Sequence, residues 1–237
     1  MSKAFQFKQF TIEQDKTAMK VGTDGVLLGA WAQLESNLFS VLDIGAGTGL
    51  IALMLAQKSN AELIDAIELN DEAYEQTVEN FENSDWGDRL FCYHASLQEF
   101  SEEIDDTYDL IISNPPFYTS TYKELPKERA MARHTETLTY TELLSSVAKL
   151  LSENGSCAFI IPFEEATNFI FIAKGNNLCL NRITNVKGTE NSKFKRSLVQ
   201  FSFLEKPIVK TELIIEIERH NYTDEYTALT KDFYLKM

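Results

Sequence analysis

The sequence predicts an α/β fold: a mostly parallel sheet with helices on its faces and an antiparallel hairpin near the C-terminus. Three observations predict it. From residue 39 onward, apolar runs of strand length alternate with segments of helical periodicity, which implies right-handed βαβ units. The first run breaks into Asp43-Ile44-Gly45-Ala46-Gly47-Thr48-Gly49, glycines set where a strand hands over to a helix. The alternation stops at Leu178, after which two strand-like runs are separated only by a short polar loop, Thr189 to Lys195.

The elements run in order along the chain. Phe39 to Gly47 reads as a buried strand, and Leu50 to Lys58 as a helix with no breaker. Ala61 to Leu69 is a second strand. Asn70 and Asp71 suit the start of the next helix, in which Ala73, Val78 and Phe81 share an apolar face. Leu90 to Ser96 and Tyr108 to Asn114 are the third and fourth strands. Thr137 to Gly155 reads as one long helix stopped by Asn154-Gly155, followed by a fifth strand, Ser156 to Pro162, and a helix, Phe163 to Asn177. Leu178 to Gly188 and Arg196 to Lys206 form the hairpin. Thr211 to Arg219 reads as one more strand, and Asp224 to Met237 as a closing helix. With no repeat and no Gly/Ser linker, residues 1–237 read as one domain, an N-terminal segment 1–38 leading into an α/β core 39–237.

Composition narrows the setting. No apolar run approaches the roughly 18 residues of a membrane helix. Met1 to Phe10 has no apolar signal core, so the expectation is a cytoplasmic protein. Cys92, Cys157 and Cys179 lie far apart in apolar runs with no CxxC spacing, which suits small core residues and implies no metal. The net charge of −14 is unevenly spread. Glu62 to Asp109 holds 16 of the 36 acidic residues and only one base, Arg89. Basic residues cluster instead at Lys3, Lys8, Lys16 and Lys20, and at Lys187, Lys193, Lys195 and Arg196. These clusters either meet a polyanion or simply solvate the surface.

Gly45, Gly47 and Gly49 let a ligand approach the backbone closely, with a helix N-terminus behind. Glu68 closes the second strand, where a carboxylate accepts both hydroxyls of a ribose. The spacing is GxGxG, not the GxGxxG of dinucleotide sites, and Leu50-Ile51 replaces the lysine of a nucleotide triphosphate loop. A dehydrogenase loop with altered spacing is the alternative. Led by Asp43, the loop resembles the cofactor motif of class I S-adenosylmethionine-dependent methyltransferases. That resemblance implies a Rossmann-like fold, S-adenosylmethionine as cofactor, and an Asp43 that supports the loop and the cofactor's amine.

Ser113-Asn114-Pro115-Pro116-Phe117-Tyr118 succeeds the fourth strand. Two of the chain's five prolines stand together here, stiffening the turn and holding Asn114 extended. A rigid strand exit would need no more. The residues also resemble the [ND]PP[FYW] motif of methyltransferases acting on planar, sp²-bonded amines. The resemblance implies that the Asn114 carboxamide oxygen and the Pro115 carbonyl accept the amine's N–H groups. Phe117 then offers a stacking face, with Tyr118 beside it on the substrate side.

Longer stretches carry the likeness further: Phe7 to Ala32, Leu42 to Gln57, Asp109 to Tyr118 and Tyr222 to Met237. Together they resemble bacterial tRNA (adenine-N(6)-)-methyltransferases that modify a valine tRNA immediately 3′ of its anticodon. Membership of that family implies a segment 1–38 folded over the cofactor and RNA face. Lys20, Thr23 and Asp24 would then stand on the cofactor side, although Thr23-Asp24-Gly25 reads equally as a helix cap and turn. One departure stands out, because no Asp comes after the third strand. Ser96 or a backbone group would then hold the cofactor's adenine. Arg133, after the Asn114 loop, suits an RNA phosphate, with simple surface solvation as the alternative. By their charge, Lys193, Lys195 and Arg196 at the hairpin tip either neutralise phosphates around Phe194 or belong to a solvated hairpin whose Phe194 packs on the sheet. The implied partner is tRNA, with no membrane, metal or obligate protein partner. Two rivals stay open. A glutamine-amide methyltransferase shares NPP[FY], but the roughly forty residues ahead of the sheet are few for the recognition domain such enzymes carry. A non-catalytic adenosine- or RNA-binding module would not need Asn114.

Overall fold

The structure is a computed structural model that describes residues 4–115 and 138–236. Two short strands, β1 (Phe5–Gln6) and β2 (Thr11–Ile12), pair antiparallel ahead of α1 (Thr23–Trp31). The alternating core comes next as β3 (Ser40–Ile44), α2 (Leu50–Lys58), β4 (Leu63–Glu68), α3 (Asp71–Glu82), β5 (Leu90–His94), α4 (Leu97–Glu103) and β6 (Tyr108–Ser113). Then come α5 (Tyr140–Leu150), β7 (Leu151–Pro162), a 3-10 turn (Phe163–Glu165) and α6 (Ala166–Gly175). The C-terminal part holds β8 (Cys179–Lys187), β9 (Phe194–Ser202), β10 (Val209–Ile214), β11 (Glu216–Glu218), β12 (Asn221–Tyr222) and α7 (Asp224–Thr230).

Eight strands form the central sheet in the order β10-β8-β9-β7-β6-β3-β4-β5. β9 runs antiparallel to both its neighbours, and every other pair is parallel. The carboxyl ends of the parallel strands and the amino end of β9 therefore share one edge. The chain builds outward from β3 to β5, then returns to lay β6 on the other side of β3. That reversal opens a crevice at the β3/β6 boundary, where ligands of such sheets bind.

Alternation along the strands divides the core between two faces. Val41, Ile64, Leu110 and Ile160 pack with α1 and α2, through Leu27, Leu28, Leu53 and Met54. Leu42, Ile67, Ile111 and Phe159 pack with α4, α5 and α6, through Phe100, Leu143, Leu144 and Phe169. Burial on both faces explains why β3 and β6 read as nearly continuous apolar runs. The cysteines are free thiols, Cys157 buried and the other two partly so.

Several boundaries differ from the sequence expectation. The helix expected to stop at Asn154-Gly155 ends at Leu150, and β7 starts at the next residue. Gly155 instead lies inside β7, where a Cβ would sit 2.9 Å from both the Tyr108 carbonyl and Leu151 Cδ1. The glycine permits close approach of β6 at a register shift, rather than ending a helix. The helix expected from Phe163 opens with the 3-10 turn, the strand expected over Thr211 to Arg219 divides into β10 and β11, and the closing helix is only Asp224–Thr230. β10 pairs parallel with β8, so within the central sheet the antiparallel character is confined to β9. Helix α4 was not anticipated, although Ser96-x-x-Glu99 forms a capping box at its start.

Candidate active site at the carboxyl edge of the sheet

β3 delivers Asp43 to the edge and the glycine loop turns there into α2. Gly45, Gly47 and Gly49 all lie at positive φ (73°, 62° and 76°), where a side chain would be strained. A Cβ on Gly49 would stand 2.6 Å from the Phe81 ring, whereas at Gly45 and Gly47 it would meet nothing within 4 Å. Gly49 is thus packed against the protein while Gly45 and Gly47 face open space. The loop is held by its backbone, with Gly45 and Ala46 N–H groups donating to the Ile67 carbonyl at 2.9 and 3.1 Å. The Glu68 carboxylate accepts from Gly47 N–H and Asn70 N–H, each at 2.9 Å.

Asp43 is fully buried. Its Oδ2 accepts the Ala52 N–H at 3.2 Å, and its Oδ1 is sealed from solvent with no partner among the described residues. Burial pushes this carboxyl up to about 7; the Ala52 N–H opposes the shift and the Glu68 charge adds to it. A buried acceptor left open beside this loop is suited to a ligand that brings its own donors.

The N-terminal segment lies over this loop. Asn80 of α3 donates to the Thr48 carbonyl (2.8 Å) and the Glu13 carbonyl (2.9 Å), and accepts the Glu13 N–H at 2.9 Å. Gln76, one turn earlier, accepts the Lys16 N–H at 3.0 Å. Neither amide was singled out from the sequence; the signal present there was two polar residues at i, i+4 flanking the apolar stripe of α3. The Lys20 ammonium donates to the carbonyls of Gln14 and Thr17 (2.7 Å to the latter), so it secures the segment's own turn. Thr23 is exposed in the first turn of α1, whose N-cap is Gly22 with no side-chain cap bond. Asp24 accepts the Arg196 Nε–H at 2.8 Å. Two residues assigned from the sequence to different ligands are therefore paired with each other.

On the other side of the crevice, β6 ends at Ser113, whose hydroxyl donates to the Ile44 carbonyl at 2.8 Å. The register pairs Ile44 with Ser113, which sets Asn114 abreast of Gly45, about 5 Å away laterally. The Asn114 Oδ1 is buried and, among the described residues, has no hydrogen-bond partner. Pro115 beside it is buried. Phe117, Tyr118 and Arg133 lie outside the described residues. Ser96 stands after β5 as expected, but its hydroxyl donates to Glu99 at 2.7 Å and accepts the Glu99 N–H at 3.2 Å, so it is engaged in the α4 cap.

At the far end of the edge, Lys193 and Lys195 are exposed on the β8–β9 hairpin. Phe194 packs on Phe163, ring centroids 5.2 Å apart, and Lys187 Nζ stands 5.6 Å over the Phe194 ring. Neither Phe163 nor the Lys187 contact was foreseen, because both depend on the pairing of β9 with its neighbours. Among the described residues no helix is long and apolar enough to cross a membrane.

A family model described as "Methyltransferase small domain" matches residues 26–163. The chain is 60% identical over 235 residues to the tRNA1(Val) (adenine(37)-N6)-methyltransferase of Christiangramia forsetii, covering 98% of each chain. It is 59% identical over 234 residues to the Flavobacterium johnsoniae protein of the same name, covering 98% of this chain and 100% of that one. Among solved structures, a predicted O-methyltransferase from Agrobacterium tumefaciens superposes with a TM-score of 0.68 at 17% identity, over 89% of this chain and 96% of that one. That likeness speaks to the fold alone. Fold, glycine loop and family model define a methyltransferase. With relatives this similar over nearly its full length, the chain belongs to the family named tRNA1(Val) (adenine(37)-N6)-methyltransferases.

Proposed function

We propose that this protein transfers a methyl group from S-adenosylmethionine to the exocyclic amine of an adenine in tRNA, the adenine immediately 3′ of the anticodon of valine tRNA. One observation carries the reading: two buried acceptors with no partner among the described residues, Asp43 Oδ1 on β3 and Asn114 Oδ1 just past the end of the adjacent β6, stand at the crevice. The residues fit the cofactor. Asp43 supports the loop and offers its free oxygen to the amine directly or through water, half-buried Glu68 offers its carboxylate to the ribose, and Gly45 and Gly47 leave space in front of the loop. When bound, S-adenosylmethionine supplies an electrophilic methyl group on a sulfonium.

An adenine amine is a weak nucleophile because its lone pair is delocalised into the ring. Asn114 Oδ1 and the Pro115 carbonyl each accept one of its N–H bonds, favouring a pyramidal nitrogen with its lone pair aimed at the methyl carbon. With the cofactor bound, these two acceptors would hold the nitrogen for attack on the methyl group it supplies, and the amine's surplus proton would pass to solvent. Catalysis then rests on positioning and electrostatics. Phe117 stacks on the target base, which must leave its helical stack to arrive. Tyr118, Arg133, Lys193 and Lys195 serve the RNA, Arg196 does so only alongside its tie to Asp24, and Lys20, Thr23 and Asp24 act by shaping the cover over the cofactor. Residues 1–237 work as one domain, with 1–38 as that cover, and a tRNA substrate supports a cytoplasmic setting.

The test is nucleoside mass spectrometry of tRNA lacking this modification, after incubation with the protein and S-adenosylmethionine. The expected product is N6-methyladenosine in valine tRNA. Methyl incorporation into a release factor and not into tRNA would replace this reading with glutamine-amide methylation.

A further inference from the structure

The carboxyl edge holds a second concavity away from the crevice, a pocket of about 390 Å³ lined by Phe163, Glu164, Lys187, Ser192, Lys193 and Phe194. Phe163 comes directly after the end of β7, and Phe194 opens β9 opposite Lys187. β7 is the strand next to β6, and Ser113 pairs with Phe159, so Phe163 lies one strand over from Asn114 and about 10 Å further along the strand axis, with Phe194 a second strand over. The two rings lie at 33° to each other, and Phe163 leaves 37% of its surface in solvent. Lys187 is held over Phe194 by the Glu190 carbonyl at 2.9 Å and carboxylate at 3.3 Å. Lys193 is exposed at the rim and Glu164 adds an acceptor.

We propose that this pocket binds an unpaired nucleobase of the RNA substrate, a neighbour of the base that reaches Asn114. The inference rests on the tRNA reading above. Extruding a target base removes a stacking partner from the nucleotide beside it. The exposed face of Phe163 replaces that partner, Lys187 and Lys193 meet the adjoining phosphate, and Glu164 accepts from an exocyclic amine. Aromatic faces combined with cations are the chemistry that binds single-stranded nucleotides.

The experiment compares wild type with Phe163→Ala and Phe163→Trp, using valine tRNA and a fluorescent anticodon stem-loop. A set of stem-loops carries an abasic residue at each position flanking the target. Expected is a roughly 10-fold rise in KM and in stem-loop Kd for Phe163→Ala, with turnover at saturating RNA and cofactor affinity held. Phe163→Trp should keep near wild-type values, which separates stacking from misfolding. One flanking abasic position should weaken wild type and add nothing in Phe163→Ala. An unchanged KM and Kd in Phe163→Ala, or an abasic penalty equal in both proteins, overturns the pocket while methylation by wild type leaves the tRNA reading intact. If wild type methylates no tRNA, that reading fails by itself, and the stem-loop binding arm still decides the pocket.

Discussion

The two flanks of the sheet's carboxyl edge are built differently. On the β3–β4–β5 side the site is made of backbone: three left-handed glycines, N–H groups tied to Ile67 and Glu68, and a buried carboxyl. On the β6–β7–β9–β8 side it is made of projecting side chains, Asn114, Phe163, Phe194, Lys193 and Lys195. The charge divides in the same way, since the stretch from Glu62 to Asp109 that holds 16 of the 36 acids includes β4, α3, β5 and α4. A small ligand of fixed shape is served by a tight loop, whereas a large polyanion needs reach and cations. A net charge of −14 is compatible with RNA because the exposed Lys193 and Lys195 stand on the flank away from the stretch where the acids are most concentrated.

The largest expected effect breaks the comparison if it falls on the wrong flank. Asn114→Ala removes the acceptor proposed to act on the substrate amine, so turnover should fall about 10²- to 10³-fold, the scale seen for one positioned hydrogen-bonding group. Cofactor affinity, measured by calorimetry, should stay within about 2-fold. A loss of cofactor binding matching the loss of turnover would make Asn114 a structural part of the donor flank.

A smaller effect concerns Asp43, the donor flank's open acceptor. Its carboxyl is pushed up to about 7 by burial, against about 3.9 in an unfolded chain. A raised acid binds more protons folded than unfolded, so stability without cofactor should fall as pH rises from about 4 through 7. Asp43→Asn should flatten that part of the melting curve and weaken cofactor binding about 10-fold or more, through loss of a charged acceptor. Wild type should also release protons on binding cofactor near neutral pH, read by calorimetry in buffers of different ionisation enthalpy. Parallel melting curves for the two proteins would show that Asp43 is already ionised.

The donor flank was the more legible half in the sequence. Its demands are local, because glycines at positive φ and an acid at a strand end are each a property of a few consecutive residues. The place of Asn114 at a strand exit could be read for the same reason, through the prolines that come after it. What escaped depends on register between distant segments. Gly155 looked like a helix stop until β6 lay against it, and Phe163 looked like the start of a helix until β9 brought Phe194 alongside. Ser96 was read toward a ligand, whereas the same Ser-x-x-Glu spacing also writes a helix cap, and the cap engages its hydroxyl.

The smallest expected effect tests whether the flanks are joined. Asp24 and Arg196 are 172 residues apart in sequence, and their bond links the start of α1, behind the segment over the glycine loop, to β9 beside the hairpin lysines. Both side chains are about a third exposed, so the pair should contribute about 1 kcal/mol or less. For a chain of this size, Asp24→Asn should then lower Tm by about 2 to 4 °C at most. The useful comparison is with Arg196→Gln and the double variant in a cycle. If Arg196 acts through Asp24, the two single variants should raise the KM for tRNA alike, by about 2-fold, and the double variant should add nothing. If Arg196 touches RNA itself, Arg196→Gln should raise KM several-fold and reduce the salt dependence of binding by about one phosphate contact, a log–log slope change of roughly 0.7 to 0.9. Asp24→Asn would then leave that slope unaltered, and Arg196 would belong to the acceptor flank despite its partner on α1.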